Sequence, residues 1–306
     1  MRKCTKLLIL FLCFFCVRGY AENIAFISNA KIPTFTEAVD TAKKYLLTSG
    51  YGITADIYDY KDPEFLNKLK AKKYDVICPV GTNATRKVKN AITDTPIVFT
   101  MILGAVKSKI ISNLGPSGQN ITGASLDIAA KPQLELFKRI APSIKKVGVM
   151  YSPGSAAMIA DAKKIASSLG IEIVAVEVAV STQVPKTLRT LVGKIDSLWI
   201  MTDSKVCTKD TLPLILNFTL KNKIPAIGFT PYLVKAGALV SYTYDYKDVG
   251  KQTGELIGKV LDGKDAGKIA IASPRKVGYV LNLKTAKFLG ITIPSGLIRG
   301  ADETFK

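Results

Sequence analysis

A chain of 306 residues with 48% hydrophobic and 22% charged residues can bury cores for two ordinary domains, and it is not disordered. The formal charge is +19, but the lysines are scattered and form no Arg-rich block or nucleic-acid motif, so a solvated basic surface is the reading. Histidine is absent, which excludes Ser-His-Asp and Cys-His catalysis and His-ligated metal sites.

The chain opens with Met1-Arg2-Lys3 and Lys6, then an apolar run from Leu7 to Val17, then Gly19-Tyr20-Ala21. This is the pattern of an export signal cleaved near Ala21, since a membrane span needs about 20 apolar residues and Arg18 comes too early. Cys13 and Cys16 follow large residues, unlike a lipoprotein cysteine. A chain starting at Glu22 keeps a charge of +15 and two cysteines, Cys78 and Cys207, which are expected to be free thiols.

From residue 22, β-branched runs at 23–28, 52–58, 74–80 and 96–101 alternate with helical spacing at 36–47 and 84–92. Near-continuous apolar runs in a βαβα series predict parallel sheets covered on both faces. A further strand over 120–126 and a helix over 131–140 follow, and after Pro142 the series restarts with a strand at 146–151, a helix at 156–169 and strands at 171–178, 195–201 and 225–229. The restart is visible in short: KYDVICPVGTN (73–83) is echoed by KIDSLWIMTDS (194–204), and TPIVFT (95–100) by IPAIGFT (224–230). The repeat is a whole α/β lobe. The remainder gives strands at 238–244 and 277–282 with helices at 248–261 and 283–289, too little for a third domain, so it is expected to complete both lobes. The boundaries expected are 1–21 for the signal, 22–125 plus 245–275 for lobe one, and 126–244 plus 276–306 for lobe two.

Ligands of open parallel sheets bind beyond the carboxyl ends of the strands. There, lobe one offers Gly81-Thr82-Asn83, with Thr82 or Asn83 read as the N-cap of a helix whose N-terminus suits a carboxylate. Lobe two offers Thr202-Asp203-Ser204, whose acid suits an ammonium group. Two such ends facing each other fit a small zwitterion such as an amino acid, although capping alone explains the same residues. Tyr151, Phe229, Tyr242 and Tyr244 also lie at strand ends, where they suit a ring or simply pack in the core. Thr100, late in the fourth strand, joins the candidates. No nucleophile elbow or phosphate loop occurs, and no catalytic, metal or cofactor site is expected.

PIVFTMIL (96–103), NITGASLDI (120–128), QLELFKRIAPSIKKVGVMYSPG (133–154), LWIMTDSKV (198–206), the run 235–264 and NLKTAKFLGITIP (282–294) resemble the family of ABC-transporter substrate-binding proteins, some of which bind tryptophan or other aromatic amino acids. The resemblance spans the chain beyond the signal. It implies a type I periplasmic-binding-protein fold, two Rossmann-like lobes joined by three crossovers that close on a small ligand and dock on a membrane permease. It also implies a periplasmic, non-enzymatic monomer that contacts no nucleic acid. A sensory binding protein that reports to a membrane receptor is the alternative. Thr82 and Asn83 match the first ligand loop of the family, Asp203 and Ser204 the second, and Tyr244 and Asp245 the crossover. The loops at 29–33 (Asn-Ala-Lys-Ile-Pro) and 102–104 (Ile-Leu-Gly) depart from the family pattern.

Overall fold

The computed structural model describes residues 21–306, so residues 1–20 of the expected export signal lie outside the described residues. Two sheets organise the chain. The first is all parallel, in the order β2–β1–β3–β4–β5, from β1 (Glu22–Ser28), β2 (Ile53–Asp59), β3 (Val76–Pro79), β4 (Ile97–Ile102) and β5 (Ile121–Ser125). The second uses β6 (Lys146–Tyr151), β7 (Glu172–Glu177), β8 (Ser197–Trp199), β9 (Ala226–Gly228), β10 (Val240–Tyr244), β11 (Val277–Asn282) and β12 (Glu303–Phe305), in the order β12–β11–β10–β9–β8–β6–β7. The run β7–β6–β8–β9–β10 repeats the order of the first sheet, so the molecule is a two-lobed α/β protein with one switch point per lobe. The second sheet is not wholly parallel: β11 returns antiparallel to β10, and β12, absent from the sequence reading, pairs parallel to β11.

The echo between 73–83 and 194–204 has a structural cause. Asp75 accepts from the Asn23 amide at 2.8 Å and donates its own amide to the Asn23 carbonyl at 2.9 Å. Asp196 treats Lys146 the same way, at 2.9 and 3.0 Å. Each Lys-x-Asp thus ties the start of one central strand to the start of the next. The apolar residues that follow fill the sheet interiors: Val76, Ile77 and Cys78 in one lobe, Leu198 and Trp199 in the other.

After β10 the chain leaves the second sheet. The helix Tyr246–Leu261 packs against the helix Pro33–Thr48 beside the first sheet, and Ala272 bonds to the backbones of Gly123 and Ser125 next to β5. Glycines at 250, 254 and 258 make this helix pair close: a Cβ on Gly250 would stand 2.5 Å from the Ala38 carbonyl oxygen. The two returning segments meet where the Asp245 amide bonds to the Lys276 carbonyl, and Arg275 binds both Asp248 and Glu255.

The helix after β3 runs Thr82–Ala91, and its N-cap is Gly81, not Thr82 or Asn83. Gly81 has φ +82°, and a Cβ there would lie 2.8 Å from the Phe35 ring, so only glycine makes this turn without strain. The cap carries no side-chain hydrogen bond.

Candidate functional site

The carboxyl ends of both sheets face one cleft with two connected chambers. The outer one, about 660 Å³, is lined from the first lobe by Arg86, Lys107 and Lys109 and from the second by Asp203, Ser204 and Cys207. The inner one, about 70 Å³, is walled by Trp199, Phe229, Tyr242 and Tyr244, with Leu103, Met158 and Met201, and with Asp127 and Gln133 as polar groups. Leu103, Thr202 and Phe229 line both chambers and form the neck between them. The outer volume falls within the range of about 300–1,000 Å³ usual for small-molecule sites, whereas the inner one is too small for a ring until the walls part.

The aromatic wall is firmly seated. The Trp199 indole N–H donates to Gln133 Oε1 at 3.1 Å, and Gln133 in turn donates to the Ile128 carbonyl at 2.8 Å. The Tyr242 hydroxyl donates to the Pro132 carbonyl. Burial, and then the negative charge of Asp127, raise the pKa of the Tyr244 hydroxyl, so the ring stays neutral.

Asp127 follows β5 and sits beside these rings. Its Oδ1 accepts from the Gly104 amide at 2.6 Å, and its Oδ2 from the Ala105 amide at 3.0 Å and the Ser125 hydroxyl at 2.8 Å. Oδ1 takes a single bond, so it has room for another donor. Gly104 takes φ +73° to present its amide here, just after Met101 at φ +60°.

Asp203, read from the sequence as the partner of a solute's ammonium group, is paired with that of Lys107, 3.1 Å away. Its side chain is fully buried. Oδ2 also accepts from the Ser152 amide, the Ser152 hydroxyl and the Ser155 hydroxyl at 2.8–2.9 Å, and Oδ1 from the amides of Lys205 and Val206. Lys107 further donates to the Thr202 carbonyl. Burial pushes the Lys107 ammonium down to about 8, against the opposing pull of Cys207 and Asp127, which still leaves it mostly charged at neutral pH.

Of the other residues singled out from the sequence, Thr202, Ser204, Phe229, Tyr242 and Tyr244 line one or both chambers. Thr82, Asn83, Thr100, Tyr151 and Asp245 line neither. The Thr100 hydroxyl is buried and accepts from Thr253 of the helix Tyr246–Leu261. Tyr151 packs at the edge of the second core, and Asp245 caps that same helix by accepting from the Asp248 amide at 2.9 Å. Lys107, Asp127, Gln133 and Trp199 were not among the sequence candidates. Only Asp127 carried a local signal, an acid one residue past an apolar strand.

The family described as ABC transporter substrate binding protein matches residues 24–305. A tyrosine-binding protein of Clostridioides difficile is 30% identical over 226 residues, 73% of this chain and 65% of its own length, so the chain spans just under two thirds of that relative. The ligand-free, open structure of a substrate-binding protein with adhesive properties from Clostridium difficile aligns with 26% identity and a TM-score of 0.72, covering 94% of this chain and all of that one. A Streptococcus pneumonia ABC domain in complex with L-Trp aligns with 23% identity and a TM-score of 0.66 over 94% of this chain and all of that one, a likeness of fold.

Proposed function

The chain belongs to the ABC transporter substrate-binding proteins, a family of extracytoplasmic solute binders rather than enzymes, and from that premise we propose that it captures an aromatic amino acid between its lobes for a membrane permease. One observation carries the choice of solute: four aromatic rings, Trp199, Phe229, Tyr242 and Tyr244, surround a chamber that also holds the carboxylate of Asp127. In this reading the solute ring enters among those side chains, and its ammonium group takes the remaining acceptor position of Asp127 Oδ1. Its carboxylate points outward to the guanidinium of Arg86 in the outer chamber. The tyrosine-binding relative supports a solute of this class.

The lobes, taken as 22–125 plus 245–275 and 126–244 plus 276–306, close because the solute touches both sides only in the closed state. We place the mature N-terminus near Glu22 and the protein outside the cytoplasm. Among the described residues no helix is long and apolar enough to cross a membrane. A thermal-shift screen of the amino acids, sugars and nucleosides tests the reading. Solute at 100 times its Kd stabilises a protein by about 2.7 kcal/mol, enough to move the melt visibly. Tyrosine, tryptophan or phenylalanine is expected to give the largest shift. A shift from sugars or nucleosides alone would exclude the amino-acid class.

A further inference from the structure

Asp203 has every donor it needs within its own lobe. Five hydrogen bonds from Ser152, Ser155, Lys205 and Val206 hold both oxygens from within the second lobe. The sixth partner comes from elsewhere. Lys107 stands on the segment after β4, part of the lobe built on the first sheet, and extends its side chain across the outer chamber. Its ammonium lies 3.1 Å from Asp203 and donates to the Thr202 carbonyl, with only 13% of the side chain exposed. Among the described residues the other ion pairs between the lobes join Lys276 to Asp245 and Asp248 at 3.9–4.0 Å, where the chain itself crosses, so Lys107–Asp203 is the pair that spans the cleft.

We infer that Lys107 is an interlobe latch: a cation tethered to one lobe that fills the Asp203 cage of the other and adds to the stability of the closed cleft. Asp203 then serves closure and does not receive the solute's ammonium group. The geometry favours this over competition for the cage. The pair lines the outer chamber, whereas the aromatic rings and Asp127 line the inner one, and only Leu103, Thr202 and Phe229 border both. A solute seated inside leaves the pair intact, and closing the pair over it excludes water. Where the binding-competent state is the closed one, the apparent Kd equals the intrinsic value divided by the closed fraction. A latch therefore strengthens binding without touching the solute. The inference rests on the solute-binding reading only in that the two lobes open and close.

The test uses the chain from residue 22 with fluorophores on cysteines introduced at the exposed positions Thr93 and Lys209, one per lobe. Wild type, Lys107→Met and, as a control, Lys259→Met, an exposed lysine that lines neither chamber, are compared without solute by single-molecule energy transfer. Lys107→Met retains the fold because Asp203 keeps its five bonds. The latch predicts a larger short-distance population in wild type and the control than in Lys107→Met. Affinity for L-tyrosine then falls about tenfold in Lys107→Met if the closed fraction drops to about one tenth. Distances unchanged by Lys107→Met overturn the latch. So does tighter L-tyrosine binding, which would mean that Lys107 competes with the solute for Asp203. A protein that ignores L-tyrosine yet opens on Lys107→Met contradicts the aromatic reading and upholds the latch.

Discussion

Replacing Gly250 by alanine tests whether the helix Tyr246–Leu261 is built into the first lobe. The new Cβ would stand 2.5 Å from the Ala38 carbonyl oxygen, 2.9 Å from Ala38 Cα and 2.9 Å from Thr41 Cβ. The first two are backbone atoms, so no rotamer change relieves the clash, and the helices are forced apart. Overpacking of this kind costs about 1–3 kcal/mol, and a contact this short belongs at the upper end. Alanine returns up to about 1 kcal/mol through its better helix propensity. The net loss expected is about 1–2 kcal/mol, a fall in melting temperature of roughly 2–8 °C for a domain of this size. Gly258→Ala is the internal contrast. Its Cβ would meet only the Tyr51 side chain, at 2.8 Å from the hydroxyl, and that ring can turn. Gly254→Ala falls between, facing both the Tyr45 ring at 2.8 Å and the Ala42 carbonyl at 2.9 Å. Urea unfolding followed by far-UV circular dichroism ranks the three. Equal midpoints, or Gly250→Ala at or above the parent, would refute the close packing of these helices.

Three further outcomes follow from the site. Trp199 is the only tryptophan in the chain and lines the inner chamber, so L-tyrosine or L-phenylalanine should shift or quench its emission in saturable fashion, and an unchanged spectrum at saturation would place the solute elsewhere. Asp127→Asn keeps an oxygen for Gly104 but loses the charge, and should weaken binding by roughly 1.5–3 kcal/mol, the value of a charged hydrogen bond, as read by titration calorimetry. Burial pushes the Cys207 thiol up to about 12 and raises Cys78 further; because the thiolate is the reactive form, both should react slowly with a thiol reagent at pH 8, and rapid native labelling of Cys78, the buried one, would contradict its burial, whereas Cys207 lines the outer chamber.

Much of this architecture could be read from residue patterns, because strand runs and the Lys-x-Asp repeat are local. β6, β11 and the helix Leu283–Leu289 coincide with the segments expected. Shorter helices at Phe65–Lys70, Val184–Leu191 and Thr211–Lys221 escaped notice because their apolar faces are brief or, in the last, nearly continuous. Thr100 shows why the site was harder. In a strand, alternate side chains face opposite ways, and Thr100 turns towards Thr253 and away from the cleft. Trp199 looked like one more apolar strand residue, yet its ring walls a chamber. Lys107 is one of many lysines in a basic chain, and only the folded path of the segment after β4 brings it to Asp203. The acid at 203 was visible; its partner, 96 residues away, was not.

Isothermal titration of the chain from residue 22 with L-tyrosine and L-tryptophan measures solute capture most directly. The account predicts one-to-one binding of at least one of them, with a negative heat-capacity change from burial of the ring. Saturable binding that survives replacement of Trp199 and Phe229 by alanine, or no heat from either amino acid, would contradict it.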